Sequence, residues 1–443
     1  MKDQRWNFFP SFSLGWNVAR ENFWKPLESV VNQFKLRGSW GELGNQNTSN
    51  LYPFYEILPV KSNSGNWLVN GGKTNTADIP SLVSTLLTWE RVRSFNVGFD
   101  FGAFSNRLTG SFDYFVRKTV DMVGPAPQLP LVLGIAPAIV NNADMKSYGF
   151  EIELSWRDRI GEVDYGVKFN LADAQQKVVK YPNTTNAFND WYAGKMSGEI
   201  WGYTSLGIAK TDEEMKEHLA SLPNGGQNQL GNKWGAGDIM YADINGDGKV
   251  DGGKGTLADP GDQRIIGNST PRYNFGLVLD ASYKGFDVSI FFQGVGKRDY
   301  APIVGTNGAV FWGAVNNIWQ SMAMEEHFDY FRPEGHPMGA NLNGYYPRPD
   351  FTSNKNHQVQ TRYLQDASYI RLKNLQIGYT LPKQWINKLH INRCRVYVSG
   401  DNLWTGTSLA SMFDPETLAA GDWGSGKTYP LSKVISFGLN VNF

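Results

Sequence analysis

A short segment of the chain has the composition and spacing of a calcium-binding loop. It reads DINGDGKVD, residues 243–251, with oxygen-bearing side chains at alternate positions around a central glycine. A hard cation such as Ca²⁺ needs about six to eight oxygen ligands, which one short and sharply turning loop can supply. The candidate ligands are Asp243, Asn245, Asp247, the backbone carbonyl of Lys249, and Asp251.

The bidentate glutamate that normally completes such a loop is missing. Lys254 stands at that position, and residues 252–261 form an insertion after the motif. Asp and Asn at this spacing also form Asx turns, in which a side-chain oxygen accepts hydrogen bonds from nearby backbone N–H groups. The motif therefore fits either a calcium site or a loop closed by its own hydrogen bonds.

The remaining candidate motifs do not predict catalysis. Residues 248–256 nearly spell a phosphate-binding loop, but Gly255 stands where serine or threonine is required, and the aspartates of the loop would repel phosphate. The five histidines fall in no metalloprotease or nucleophile motif. We therefore expect a protein that is not an enzyme.

Tryptophans in the irregular segments offer a second kind of site. Aromatic rings have large flat faces that can stack on sugar rings. The candidates for such a ligand contact are Trp67, Trp201 and Trp312. Packing within the loops, or a belt at a membrane interface, accounts for the same residues equally well.

The segments between these candidates alternate apolar with small or polar side chains. In the last of them the apolar residues are Ile435, Phe437, Leu439, Val441 and Phe443. A period of two places the apolar and polar sets on opposite faces of a β-strand. Serine, glycine and asparagine on the polar face are typical of an outer-membrane barrel strand, with lipid outside and a polar lumen inside. We predict that the last four apolar residues act as a membrane-insertion signal.

The same alternation predicts about eleven strands. They are expected at residues 10–18, 34–40, 95–101, 108–116, 148–156, 163–171, 273–281, 286–292, 368–381, 394–400 and 432–443. Short and long connections follow each other, as in a barrel with turns on one rim and loops on the other. A change of parity between Leu372 and Leu375 predicts a β-bulge. A capping box at Thr211 and Glu214 predicts one helix in the longest connection.

Composition restricts the class of protein further. The 42 basic and 42 acidic side chains cancel, which disfavours binding to nucleic acid. Aromatic residues make up 14% of the chain and glycines number 48, an excess that fits strands, tight turns and interfacial girdles. The single Cys394 cannot form an internal disulfide, and we expect it to be buried or to face the lumen.

Eight segments, in this order, resemble the C-terminal half of TonB-dependent outer-membrane transporters of the SusC/RagA type. They are FFPSFSLGW (8–16), FKLRGSWGELGNQ (34–46), SYGFEIELSW (147–156), GDIMYADINGDGKVD (237–251), DQRIIGNSTPRYNFG (262–276), YIRLKNLQIGYTLP (369–382), VYVSGDNLWTGT (396–407) and DPET (414–417). The resemblance covers the whole chain. The ordered series is a stronger signal than any single match.

This resemblance implies an all-β fold, an antiparallel up-and-down transmembrane barrel of about 22 strands, of which residues 1–443 would form half. The plug domain, TonB box and signal peptide are expected to be absent. It also implies localisation in the outer membrane, contact with membrane lipid, and TonB and a SusD-like surface lipoprotein as partners. The implied ligand is an oligosaccharide or, less favoured, a peptide. Asp262 would be the last calcium ligand, by the family pattern DxNxDGxxDxxD.

Parity predicts the orientation. If the short turns lie at the periplasmic rim, the chain ends in the periplasm and starts in an extracellular loop. Residues 1–16 do not have the basic and apolar regions of a secretory signal. The large loops at 44–90, 179–271 and 296–366 would then line one extracellular vestibule.

Two other classes of protein are alternatives. One is a secreted β-rich protein that binds or hydrolyses carbohydrate, and the other is a soluble calcium-dependent adhesion module. A soluble monomer exposes at most a few hundred Å² of contiguous apolar surface, and an apolar stripe on each of about eleven strands would exceed this greatly. We therefore favour the membrane barrel.

Overall fold

Alternating side chains organise the chain into one large antiparallel sheet. The computed structural model describes residues 6–45, 55–80, 82–84, 87–124, 132, 134–135, 137–302, 309–312, 323–350, 355–387, 390–418 and 428–443. Parts of the predicted long loops lie outside these described residues.

The sheet has eleven strands, labelled in chain order. They are β1 Ser11–Asn17, β2 Val31–Asn45, β3 Glu90–Ala103, β4 Leu108–Val123, β5 Asn141–Ile160, β6 Val163–Lys180, β7 Arg272–Tyr283, β8 Phe286–Lys297, β9 Tyr369–Thr380, β10 Arg393–Thr407 and β11 Val434–Asn442. Each strand pairs with the next one in the chain, so the order in the sheet is the order in the sequence. The predicted strands are confirmed, and several extend beyond their predicted bounds.

The connections alternate between two rims, as predicted. On the short rim they are residues 18–30, 104–107, 161–162, 284–285 and 381–392, and on the long rim 46–89, 124–140, 181–271, 298–368 and 408–433. One of the two two-residue turns joins β7 to β8 through Lys284 and Gly285, whose φ angles are 46° and 89°. Two successive positive φ angles are what a type I′ hairpin turn requires, and glycine adopts one without steric cost.

Cross-strand register gathers the apolar side chains on one face. One row contains Phe12, Trp40, Phe95, Val116 and Tyr148 and crosses β1 to β5. Many of the large side chains on this apolar face are exposed. Exposure of apolar residues along a whole sheet is what contact with lipid requires.

The predicted membrane-insertion residues lie in or next to β11. Phe437 and Leu439 belong to the apolar face and are exposed, Phe437 by 85%, and Phe443 follows the strand and is exposed too. Val441 pairs with Cys394 of β10, which is buried as expected. Their role as an insertion signal stays a prediction.

The opposite, polar face carries ion pairs between strands. Arg37 of β2 contacts Asp100 of β3 at 2.8 Å and Asp113 of β4 at 2.9 Å. Gly98 of β3 lies between Arg37 and Asp113, and a Cβ there would stand 2.4 Å from the Asp113 carboxylate. Glycine thus leaves the space in which a guanidinium reaches across an intervening strand. The same arrangement joins β10 to β8 through Arg395, Gly378 and Asp287.

The predicted bulge lies in β9. Its register with β10 shifts between Leu372 and Asn374, within the interval where side-chain parity changes. The register of β8 against β9 shifts at the same level, between Phe291 and Phe292. The bulge prediction is confirmed.

The predicted helix, α1, is Asp212–Ala220. The Thr211 hydroxyl accepts a hydrogen bond from the Glu214 N–H at 3.1 Å, as a capping box requires. The Glu214 carboxylate accepts from the Lys210 N–H at 2.6 Å, and no bond to it from the Thr211 N–H is observed, so the box forms only in part. None of the helices in the described part of the chain has both the length and the hydropathy to cross a membrane.

The remaining described elements are short. Two-residue to five-residue strands pair as Glu199–Gly202 with Arg264–Asn268, Ser205–Ile208 with Ile239–Tyr241, Asp299–Tyr300 with Gln365–Asp366, Val60–Lys61 with Thr76–Ala77, and Leu68–Val69 with Gly72–Lys73. Short helical segments are Val18–Arg20, Asn22–Leu27, Ala309–Trp312, Glu325–Phe328, Thr361–Tyr363 and Lys383–Ile386. Most of these elements belong to the long connections.

We expect a charge on the apolar face of β11 to destabilise insertion into a membrane. Phe437 lies opposite Val398, so Phe437→Arg should cost about 2–4 kcal/mol. Ser436→Arg is the matched control, because Ser436 lies on the polar face opposite Ser399. Urea unfolding of the full-length protein in phospholipid vesicles measures both, and an equal loss for the two variants would contradict our assignment of the faces.

Candidate functional site

The long-rim connections pack around a common hydrophobic core. Its buried members are Tyr203, Ile208, Leu222, Ile239, Tyr241, Val250, Tyr300, Phe311, Trp312, Phe331, Tyr346, Tyr363, Ala367, Leu409, Phe413 and Leu418. We call the described parts of residues 181–271, 298–368 and 408–418 the loop assembly. Two of the three loops predicted to share a vestibule meet here, together with residues 408–418 of the last predicted loop, which was not assigned to that vestibule. No described residue of the 46–89 connection belongs to this core.

A buried carboxylate joins two parts of the loop assembly. Asp238 is fully buried and accepts hydrogen bonds from Arg348 at 2.6 and 2.8 Å and from Lys355 at 2.8 Å. It also accepts from the Asn356 amide and the Gly235 N–H, both at 2.9 Å. Charged hydrogen bonds of this kind fix the relative positions of the segments that contribute them.

The aspartate-rich segment is a loop held by its own hydrogen bonds. The Asp243 carboxylate accepts from the N–H groups of Gly246 at 2.7 Å and Gly248 at 2.8 Å. The Asn245 side-chain oxygen accepts from the Asp247 N–H at 3.0 Å. These are Asx-type bonds, one of the two arrangements that the spacing of the motif fits.

The two acidic residues that follow have different environments. Asp262 is fully buried and accepts from the N–H groups of Ile244 at 2.7 Å and Asp251 at 2.8 Å, and its burial raises its pKa. The Lys249 ammonium lies 2.5 Å from Asp251 and holds the pKa of that carboxyl below its ordinary value. Lys249 thus neutralises the negative charge of Asp251, which a bound Ca²⁺ would need.

Calcium binding stays a prediction for this loop. Within the described residues, no group of three or more His, Cys, Asp or Glu side chains is arranged to hold a metal ion. Each carboxylate oxygen still has a second lone pair, so an accepted N–H bond and a metal contact are compatible. The donor types fit Ca²⁺, whereas the Lys249–Asp251 pair opposes it.

We predict that Ca²⁺ displaces Lys249 from Asp251 and protects the loop from proteolysis. Limited digestion of the full-length protein should then cut within 243–262 faster in EGTA than in calcium. Lys249→Ala should increase the protection because it frees the Asp251 carboxylate, and Lys254→Ala, outside the proposed ligand set, is the control. Identical cleavage in EGTA and calcium would count against a metal site.

The structure places the three candidate tryptophans in different surroundings. Trp312 is only 1% exposed, and its ring packs against Tyr363 at 4.6 Å and His357 at 4.5 Å between centroids. Trp201 is half-buried and stacks on Phe188 at 4.5 Å. Trp67 is 60% exposed and lies in the 46–89 connection. Packing accounts for Trp312, and Trp67 is the one of the three with an exposed ring.

A groove on the loop assembly, not predicted from the sequence, is a better candidate for ligand contact. Its volume is about 610 Å³, within the usual range for ligand sites. It is lined by Glu326, Asp329, Tyr345, Tyr346, Arg362, Leu364, Gln365, Asp366, Ser408, Ala410 and Ser411. These residues come from two connections of the long rim.

Hydrogen bonds define the chemistry of this groove. The Arg362 guanidinium donates to the carbonyls of Gly344 and Tyr345 at 2.9 to 3.2 Å. These bonds hold the backbone at residues 344–345. The Ser411 hydroxyl donates to Glu326 and holds the pKa of that carboxyl below its ordinary value. Acidic oxygens beside a tyrosine ring can therefore accept hydrogen bonds from the hydroxyl or amino groups of a ligand.

A second depression lies on the sheet. Its volume is about 500 Å³, and it is lined by Gln33, Asp100, Phe101, Thr109, Gly110, Ser111, Glu153, Leu154, Ser155, Lys168, Phe169, Asn170 and Val278. Asp100, Ser111 and Glu153 are neighbours across three strands on the polar face. This face offers a charged surface.

Comparison with known proteins gives the family. Residues 2–403 match the model described as TonB dependent receptor-like, beta-barrel. TonB-dependent receptor P3 of Formosa agariphila is 29% identical, over 100% of this chain and 42% of that protein. TonB-dependent receptor SusC of Bacteroides thetaiotaomicron is 22% identical, over 100% of this chain and 40% of that protein. The chain thus spans less than half the length of these relatives.

Solved structures show the same architecture. The structure of the RagAB peptide transporter matches with a TM-score of 0.73 and 22% identity, over 98% of this chain and 43% of that chain. A likeness at this level of identity concerns the fold. Together with the match over residues 2–403, and with an apolar sheet face suited to lipid, it shows that the chain belongs to the TonB-dependent receptor β-barrel family of outer-membrane proteins.

Proposed function

We propose that the chain is part of the barrel of a SusC/RagA-type TonB-dependent transporter that takes up oligosaccharides together with a SusD-like surface lipoprotein. The observation that carries this proposal is the polar groove of the loop assembly, which lies on the long rim of the sheet. The sheet face opposite the apolar face is polar and charged. TonB would act through parts of the intact protein outside these residues.

The chemistry of the groove favours a sugar over an anionic ligand. Apart from Arg362, which donates to backbone carbonyls, the charged groups that line the groove are carboxylates. Sugar hydroxyls are good donors to carboxylates, and a tyrosine ring offers them an apolar face. A peptide with free amino groups would satisfy the same acceptors and is the alternative ligand.

The 46–89 connection suits a protein partner. Among its described residues, large apolar side chains are exposed at Tyr55, Ile57, Leu58, Val60, Trp67, Leu68, Val69 and Ile79. An apolar surface of this kind outside the membrane usually marks a contact with another protein. We assign this surface to the lipoprotein, and Trp67 to that contact or to the ligand.

We expect the groove to bind oligosaccharide through its carboxylates. Asp329→Asn with Asp366→Asn in the full-length transporter should weaken binding about tenfold or more, since hydrogen bonds to charged groups contribute more than neutral ones. The amide oxygens would keep the structural bonds to Asn341 and to the Ser368 N–H. Titration calorimetry with oligosaccharides selected on a glycan array measures the affinity.

Matched controls separate the groove from general charge effects. Glu213→Gln with Glu217→Gln removes the same charge from α1, away from the groove, and should leave the affinity unchanged. Pull-down of the lipoprotein with Trp67→Ala tests the partner surface separately. Unchanged affinity in the groove variant, or tight binding of peptides alone, would refute an oligosaccharide site.

A further inference from the structure

Four basic side chains form a continuous row across four neighbouring strands. Arg93 of β3 lies directly opposite Lys118 of β4, which lies opposite Lys146 of β5, which lies opposite Lys177 of β6. We call these four residues the basic row. From these four residues to the middle of each strand, the pairing with the neighbouring strands continues without a register shift. All four side chains therefore belong to the same face.

On β3, β4 and β5 that face is the apolar one, and on β6 the positions nearest Lys177 on this face are Gln175 and Asp173. Each of the first three basic residues stands two positions from a member of the apolar row, namely Phe95, Val116 and Tyr148. A spacing of two keeps side chains on the same side of a strand. The basic row also lies near the strand ends that lead into the long connections 46–89, 124–140 and 181–271. It therefore borders the lipid-facing band on the side of the long rim, which is extracellular under the proposed function.

The repulsion between the like charges of the basic row has to be offset by groups of opposite charge. Residues directly opposite on neighbouring strands have Cβ atoms about 4.5–5.5 Å apart, and like charges at this distance are destabilising. Arg93 bonds to Glu42 at 2.6 Å, and the Lys146 ammonium lies 5.0 Å from the Tyr148 ring centre. Among the described ion pairs none includes Lys118, Lys146 or Lys177, and Lys118 and Lys177 are exposed.

We propose that the basic row binds the phosphate-bearing headgroups of lipids in the outer leaflet. Strands about 4.8 Å apart place several cations within reach of one phosphorylated headgroup, while its acyl chains lie along the apolar row beneath. Basic residues at a membrane surface attract anionic lipid in this way. This site is separate from ligand uptake and does not depend on which nutrient is carried.

The test uses the full-length transporter in neutral detergent with three probes. They are lipid A with two phosphates, the same lipid after enzymatic removal of its phosphates, and inorganic phosphate. Native mass spectrometry should show wild-type protein retaining the phosphorylated lipid, with far weaker retention of the dephosphorylated form. Lys118→Gln, Lys146→Gln and Lys177→Gln combined should weaken retention on the order of 100-fold, since each basic residue near a membrane surface contributes separately.

Two further variants keep the proposal open to refutation. Replacing the same three lysines by arginine keeps the charge and should keep the lipid, whereas Lys73→Gln, Lys210→Gln and Lys216→Gln combined removes equal charge elsewhere and should have no effect. Heat-modifiable migration in gels checks that every variant is folded. Equal retention of both lipids by wild type, undiminished retention by the triple glutamine variant, or comparable binding of inorganic phosphate alone would overturn the proposal.

Discussion

Asp238→Ala should open the loop assembly, at a cost of about 3–5 kcal/mol. Lys355 is only 1% exposed, and the substitution would leave its ammonium buried without the carboxylate that it contacts at 2.8 Å. Arg348 would lose both of its bonds to the same carboxylate. Hydrogen exchange of the full-length protein in detergent measures the effect, with faster exchange expected at the Ile239 N–H, which donates to Asn356.

A double variant distinguishes a buried charge from a lost contact. Asp238→Ala with Lys355→Met removes both charges and should recover most of the lost protection, because an apolar side chain of similar length replaces the buried cation. Asp238→Asn keeps a hydrogen-bond acceptor, and its protection from hydrogen exchange should lie between those of the wild type and Asp238→Ala. If the loss of protection in the double variant equals the sum of the losses in the two single variants, or if Asp238→Ala exchanges normally, this ion pair does not hold the segments together.

Trp312→Ala should also cost about 3–5 kcal/mol, by creating a cavity in the core of the loop assembly. The ring packs edge-on against Tyr363 and Phe311 and is almost fully buried. Trp67→Ala is the matched control, since an exposed ring should change stability by less than about 0.5 kcal/mol. Protease resistance of the long-rim connections in the full-length protein measures both.

The same pair of variants decides between packing and ligand stacking. If Trp312 serves packing, its replacement weakens the loop assembly before it affects any ligand, and binding falls only in step with protease resistance. Normal protease resistance combined with lost oligosaccharide binding would restore Trp312 as a ligand-contacting residue. Trp67→Ala should affect binding or lipoprotein pull-down without affecting resistance.

The sheet could be predicted from the sequence because each strand separates two solvents. Alternation at Phe95, Val97 and Phe99 marks β3 unambiguously, since a period of two is the direct consequence of lipid on one side and water on the other. The start of β5 could not be predicted in this way. Its first residues, from Asn141 onward, are mostly polar, and backbone pairing with β4 and β6 extends the strand there without apolar alternation.

The candidate site was much less predictable, because packing between distant segments creates it. Asp238 and Arg348 are 110 positions apart, and nothing local in the sequence marks them as partners. The groove likewise joins Glu326 to Ser411 across 85 positions. The Asp243 segment was easy to find, yet its spacing fits both Asx turns and calcium ligation, since carboxylates accept from N–H groups and from cations alike.

The β5–β6 hairpin is longer than a membrane crossing requires. β5 has 20 residues and β6 has 18, which at about 3.3 Å per residue gives a hairpin about 60 Å long. About 9–11 tilted residues suffice to cross the hydrocarbon, and the short turn at 161–162 leaves the excess on the long rim. Near its outer end, the Val178 N–H donates to the Lys195 carbonyl and so ties the hairpin to the loop assembly. Under the proposed function, the loop assembly is therefore held about 20 Å above the hydrocarbon, where an oligosaccharide docks away from the acyl chains.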